Sequence, residues 1–298
     1  MSHKFMKGDD AVVEKLSFPY DVTPKIDGYR CGVVGAKALT TSIKPFPNKY
    51  LQSVLGRPAL EGLDGELTIG APNLVDTFRR SGGVKRVEGE IDFTFHVFDS
   101  FDKPSSCANT RFKRAREVVE QFDNPHVVML EPIRVETMAD LDKVKKITLD
   151  QGYEGLMLRH PFGPYKFGRG TVRENLLLKL KTFIDFEAVV IGFVEQMQNT
   201  NEKTARGKRG TSAAGMVPKG TLGAFRVRAI NGPYTGVEFE VGTGIGLTDA
   251  LRKQVWENQA RFLGRVMTLK CQDVGGYDKP RMPIYKSFRD PQELQKNG

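Results

Sequence analysis

Strand signals follow one another from Asp185 onward: "FEAVVIGFVE", "LGAFRVRAI", "YTGVEFEVGTG" and "RVMTLKCQDV" are short runs rich in β-branched and aromatic residues. One helical pattern, "LTDALRKQVWENQARF" (247–262), stands between the third and the fourth. Mostly strand with a single helix in that place is the pattern of an OB-fold β-barrel, a common nucleic-acid scaffold. The preceding residues are mixed. "EGLDGELTIG" (61–70) and "DFTFHVFDSF" (92–101) alternate or run apolar over strand lengths. "NTRFKRAREVVEQF" (109–122) predicts an amphipathic helix capped by Asn109 or Thr110, and 137–152 a second, capped by Thr137 and ended by Gly152. "EGLMLRH" and "NLLLKLK" return as strands. The expected class is α+β: a mixed domain over 1–183 built on antiparallel sheets, then an OB-fold domain over 184–298.

The 298 residues suffice for two such domains, and their net charge of +9 favours polyanionic partners. Residues 184–298 hold 17 Lys and Arg against 12 Asp and Glu, five of those nine charges. Within them, "QMQNTNEKTARGKRGTSAAGMVPKG" (196–220) is polar, glycine-rich and basic. Such a stretch is either a plain hairpin connection or a flap that orders on a phosphate backbone. The three cysteines and four histidines are scattered with no CxxC pair, which argues against a disulfide framework or a structural zinc site. No apolar run reaches the length of a membrane span and the N-terminus lacks a signal-peptide stretch, so a cytoplasmic protein is expected, with no membrane partner.

Five short segments carry residues suited to chemistry. "VTPKIDGYR" sets Lys25 behind Thr23 and Pro24 and ahead of Ile26, Asp27, Gly28 and Arg30. A free lysine is neutral in only about one molecule in a thousand near pH 7.5, so a nucleophilic lysine must be desolvated or crowded by cations. In "LLLKLK" alternation puts Lys179 and Lys181 on the face opposite Leu178 and Leu180, as solvated side chains or as two cations on a pocket wall. Asp64 and Glu66 share a face of "LDGEL", and Glu154 opens "EGLMLR". These acids are either solvated or oxygen ligands for a hard cation. Phe98 of "FHVFD" lies opposite Phe93, Phe95 and Val97, as core or as a base-stacking ring.

Taken together and in order, KIDGYR, LDGEL, FHVFD, EGLMLR and LLLKLK resemble the covalent nucleotidyltransferases, most closely the minimal two-domain ATP-dependent DNA ligases of phages and large DNA viruses. The resemblance extends through "IKPFPNKYLQSVL" and "VGTGIGL" to nearly the whole chain. It implies a nick-sealing enzyme acting as a monomer on nicked duplex DNA, with ATP and Mg²⁺ or Mn²⁺. Lys25 would carry AMP as a phosphoramidate. Asp27 would steer it, Arg30 would contact phosphate or sugar, and Lys179 with Lys181 would hold the α-phosphate. Thr23, Pro24 and Ile26 would flank the nucleotide. Glu66 would bind the ribose and, with Glu154, the metal, and Phe98 would stack on adenine. Arg289 would orient pyrophosphate. Arg30, Lys44 and the loop residues Lys203, Arg206, Lys208 and Arg209 would touch DNA, the 196–220 loop acting as a latch.

Two departures from the pattern stand out. Thr40 and Thr41 occupy the places where similar ligases carry Ser-Arg, and "RMPIYKSFRDPQ" lacks the lysine often found beyond its acid. An mRNA guanylyltransferase, an RNA ligase and a non-catalytic OB-fold binding protein are the alternatives.

Overall fold

The computed structural model describes residues 4–74, 76–202, 209–210, 212–272 and 278–289. The chain divides into two compact units that meet in sequence between Thr182 and Phe183.

The first unit holds two five-stranded sheets. One runs Asp9–Asp10, Leu177–Lys181, Gly155–Arg159, Tyr20–Pro24, Ile133–Val135, and the other Ala38–Thr40, Tyr29–Val33, Leu63–Ile69, Phe93–Ser100, Val127–Met129. Side-chain alternation sorts each sheet into two faces. In the first, Tyr20, Val22, Leu156, Leu158, Leu178 and Leu180 form a core with Leu141 of the helix Met138–Asp150. In the second, Cys31, Val33, Leu67, Phe95 and Val97 pack with Leu51 and Leu55 of the helix Lys49–Leu55 and Ala115 of the helix Ala108–Phe122. The opposite faces supply the polar residues described below.

Local signals differ from expectation at a few points. Cys107, not Asn109 or Thr110, occupies the N-cap of Ala108–Phe122. The Asn109 amide oxygen instead accepts from Arg134 (3.0 Å), and the Thr110 hydroxyl meets the Cys107 Sγ (3.2 Å). Thr137 does cap its helix, accepting from the Asp140 N–H, and Gly152 follows that helix with φ +91°. Two helices appear beyond those expected, Lys49–Leu55 and the short Thr77–Ser81.

The second unit is a five-stranded antiparallel sheet in the order Glu238–Val241, Met216–Ala229, Phe183–Asn199, Val266–Gln272, Arg281–Phe288. Register shifts in the long central hairpin coil the sheet around its core of Phe186, Val190, Phe225, Val227, Val241, Met267 and Leu269. The arrangement is consistent with an OB-fold. The fifth strand was not among the expected elements. The 247–262 helix is split in two, Asp249–Glu257 and Gln259–Phe262, because the Asn258 side chain takes the Gln254 carbonyl and ends the first segment. No helix among the described residues is long and apolar enough to cross a membrane.

Candidate active site

A cleft of about 250 Å³ opens between the two sheets of the first unit. Thr23, Pro24, Met157, Arg159, Leu177 and Lys179 come from the first sheet and Arg30, Glu66 and Phe98 from the second; Lys25 and Ile26 follow the strand end at Pro24.

Lys25 sits where the Tyr20–Pro24 strand stops, and its N–H donates to the Gly155 carbonyl (2.8 Å). That bond brings it beside Glu154, whose buried carboxylate pairs with the Lys25 ammonium and lies 3.5 Å from Lys181 Nζ. Gly155 is needed there: its φ is +155°, and a Cβ would stand 2.4 Å from the Leu180 carbonyl oxygen. Lys179 reaches Asp10 at 3.2 Å. Of the two cations expected near Lys25, Lys181 thus shares the Glu154 carboxylate with it, while Lys179 pairs with Asp10 and lines the same cleft.

The second wall is built by register. Arg30, Glu66 and His96 stand opposite one another across three strands. Between Asp64 and Gly65 the pairing slips, so that Asp64 faces Asp99 while Gly65 faces Val97, leaving Phe98 as the extra residue of a bulge. The Phe98 ring lines the cleft, where the Arg30 guanidinium lies 4.5 Å above its centroid. Arg30 is held bidentately by Asp64 (2.6 Å to each oxygen) and donates to the Met6 carbonyl (3.1 Å). Burial opposes the Arg30 charge, but the Asp64 carboxylate outweighs it and raises the guanidinium pKa. Burial also pushes the Glu66 carboxyl up to about 7, against the pull of Arg30 and Lys25 and with the push of Asp64 and Asp27. Gly28 makes this wall possible, since a Cβ there would lie 2.3 Å from the Leu67 carbonyl and 2.9 Å from Glu66 Cγ.

The structure thus gathers Thr23, Pro24, Lys25, Ile26, Arg30, Glu66, Phe98 and Lys179 at one cleft, with Glu154 and Lys181 tied to Lys25. Lys44 is exposed in the turn after Ala38–Thr40. Arg209 donates to the Asn201 carbonyl (2.8 Å), and Arg289 lies in the second unit, paired with Glu187 at 2.5 Å. Lys203, Arg206 and Lys208 lie outside the described residues.

Sequence reasoning missed several residues. Lys7, Arg159 and Arg169 also line the cleft. Alternation along "EGLMLR", which sets Met157 and Arg159 opposite Leu156 and Leu158, contained the signal for Arg159. Asp64, read as a partner of Glu66 on a shared face, is instead wholly buried and committed to Arg30 and Tyr165. Beneath it Asp99 takes Arg111 (2.8 Å) and Arg159 (2.6 Å), all three buried.

A lysine amine in a cleft lined by cations, a carboxyl and an aromatic ring is an arrangement able to hold an anionic, ring-bearing ligand beside an amine. Residues 63–181, which carry Glu66, Phe98, Glu154, Lys179 and Lys181, match the family described as ATP dependent DNA ligase domain. The chain is 27% identical to the Chlorella virus DNA ligase-adenylate, with a TM-score of 0.55 over 97% of this chain and 98% of that one. A Lig E DNA ligase structure shares the fold, with a TM-score of 0.71 at 21% identity over 97% of this chain and 100% of that one. DNA ligase of Enterobacteria phage T4 is 22% identical over 163 residues, 55% of this chain and 29% of that protein. The chain spans less than half the length of the curated relatives it matches. Residues 63–181 thus match that domain, and along its length the chain shares with the Chlorella virus and Lig E structures a fold of a mixed α+β unit followed by an antiparallel sheet unit.

Proposed function

We propose that the chain is an ATP-dependent DNA ligase that seals nicks between a 3′-OH and a 5′-phosphate. The observation that carries this reading is the placement of Lys25 against Glu154 in the cleft that Glu66, Phe98 and Lys179 also line.

In the first step the neutral Lys25 amine attacks the α-phosphorus of ATP. An N–P bond forms, the bond to the bridging oxygen of the β-phosphate breaks, and pyrophosphate leaves. Glu154 is placed to take the ammonium proton, and Lys179 and Lys181 neutralise charge on the α-phosphate oxygens. Phe98 and Arg30 bound the nucleoside side of the cleft, and Glu66 meets the ribose. The AMP then passes to the 5′-phosphate of a nick, and the 3′-OH displaces it to join the strand.

Among the described residues no three carboxylate, histidine or cysteine side chains gather as a metal cage, so a divalent cation here would draw on substrate oxygens as well. Mg²⁺ is held by one or two carboxylates together with phosphate oxygens, and Glu66, whose carboxyl burial pushes up to about 7, would be favoured in its ionised form by a neighbouring cation. Glu66 and Glu154 would hold it, and it would supply charge neutralisation at the phosphates. Lys44 and the basic 196–220 loop, Arg209 included, serve the DNA backbone in this reading, with Thr40 and Thr41 giving a weaker grip than an arginine would.

Incubation with ATP and Mg²⁺ followed by mass spectrometry tests the proposal: one adenylyl adduct on Lys25, absent in Lys25→Ala, and sealing of a nicked duplex are the expected results. An adduct formed from GTP but not ATP, or joining of RNA but not DNA, would sink the assignment as an ATP-dependent DNA ligase while leaving the lysine chemistry.

A further inference from the structure

The hydrogen bonds behind Arg30 close into a ring. The Tyr165 hydroxyl donates to Asp64 Oδ2 (2.5 Å), the same oxygen that accepts from Arg30 Nη2 (2.6 Å). Arg30 Nη2 also donates to the Met6 carbonyl (3.1 Å), and the Met6 N–H donates back to the Tyr165 hydroxyl (2.9 Å). Met6, Asp64 and Tyr165 are each at most 4% exposed, so water does not substitute for a missing member. Two walls of the cleft meet in this ring. Arg30 lies over Phe98, while Met6 leads into Lys7 and Gly8, which line the cleft. Tyr165 itself does not line it.

We propose that Tyr165 is a positioning residue for the nucleotide: its hydroxyl locks the Arg30 guanidinium and the Met6–Gly8 segment into one arrangement. This rests on the nucleotidyl-transfer reading given above. The phenol ring has a separate task, since it packs on Phe101 at 5.6 Å and Phe167 at 5.3 Å between centroids. Tyr165→Phe keeps that packing and removes only the lock. Asp64 retains both Arg30 bonds in this variant, but the buried Met6 N–H loses its acceptor, and the edge of the cleft and the guanidinium lose their common anchor. A contact from Arg30 to sugar or phosphate is made in the ground state as well as the transition state, so loosening it raises KM more than it lowers the maximal rate.

The test is the rate of self-adenylylation against ATP concentration, measured well below the melting temperature of each variant. Tyr165→Phe is expected to raise KM about tenfold with the maximal rate within about threefold. Phe101→Leu, which disturbs the ring packing and spares the hydroxyl, should leave KM near wild type. In an Arg30→Ala background, where the ring is already open at Asp64 and at the Met6 carbonyl, Tyr165→Phe should add little. An unchanged KM in Tyr165→Phe, an equal rise in Phe101→Leu, or full additivity with Arg30→Ala would each overturn the proposal while leaving the ligase reading intact. Absence of label on the wild-type chain would overturn both. Should Tyr165→Phe fail to fold, hydrogen exchange at the Met6 amide, which donates to the Tyr165 hydroxyl, reads the same ring: faster exchange in Arg30→Ala supports the coupling, and unchanged exchange removes it.

Discussion

Asp64 and Asp99 face one another across neighbouring strands, both wholly buried, and each is closed by arginine: Arg30 on the first, Arg111 and Arg159 on the second. Two carboxylates so placed repel one another and lose their hydration, so the strand pair depends on its guanidinium groups. Arg111 additionally donates to the carbonyls of Ser106 (2.5 Å) and Gly163 (2.9 Å), tying two loops to the same point. Arg111→Leu is expected to destabilise the first unit by about 3–5 kcal/mol, read by urea denaturation. A loss below about 1 kcal/mol would mean that Arg159 alone satisfies Asp99.

Gly28 lies against the strand that carries Glu66, 2.3 Å from the Leu67 carbonyl when a Cβ is added. A backbone carbonyl held in a sheet has little room to withdraw. Gly28→Ala should therefore displace Glu66 and Lys25 together, costing about 1–3 kcal/mol and lowering adduct yield by about tenfold or more. Adduct formation at the wild-type rate would show that the motif glycine is dispensable.

Opposite linkages meet at the Glu66–His96 pair, cross-strand neighbours in the same sheet. Burial lowers the His96 imidazole to about 4, its Nε2 lying 3.0 Å from the Thr68 hydroxyl, while Glu66 is raised to about 7. Below pH 6.5 the unfolded chain protonates this histidine and the folded one does not, so its contribution is lost as pH falls from 6.5 to 4. For Glu66 the sign reverses. The unfolded carboxyl ionises above 4.5 while the folded one stays neutral, so stability falls as pH rises toward 7. Each contribution is on the order of 3 kcal/mol, and between pH 4.5 and 6.5 they nearly cancel. Thermal melts across that window should show stability rising with pH in Glu66→Gln and falling with pH in His96→Gln. Parallel profiles for the two variants would refute the assignment.

Asn48 closes the "KPFPN" segment. Its side chain accepts from the Leu51 N–H (2.8 Å) and donates to the Gly89 carbonyl (3.1 Å), and it is fully buried. Asn48→Ala should cost about 1–2 kcal/mol in chemical denaturation, with adduct formation retained. A neutral substitution would show that the helix start is held by its neighbours.

The sequence by itself determined the strand periods and with them the faces. Leu178 and Leu180 had to turn from Lys179 and Lys181, and Phe98 from Phe95 and Val97, because successive side chains in a strand point to opposite sides. It also held the capping of Thr137 and the turn at Gly152, which are local chemistry. What it did not contain is any quantity set by distant residues meeting. The pairing slip that leaves Phe98 in a bulge depends on which residue of the Leu63–Ile69 strand it faces. Glu154 between Lys25 and Lys181, Asp64 withdrawn into the interior, Arg111 buried from an amphipathic helix, and Tyr165 closing a ring with Met6 all join residues from 12 to 159 positions apart. Charge at such points is decided by burial and partner together, and both exist only once the sheets have packed.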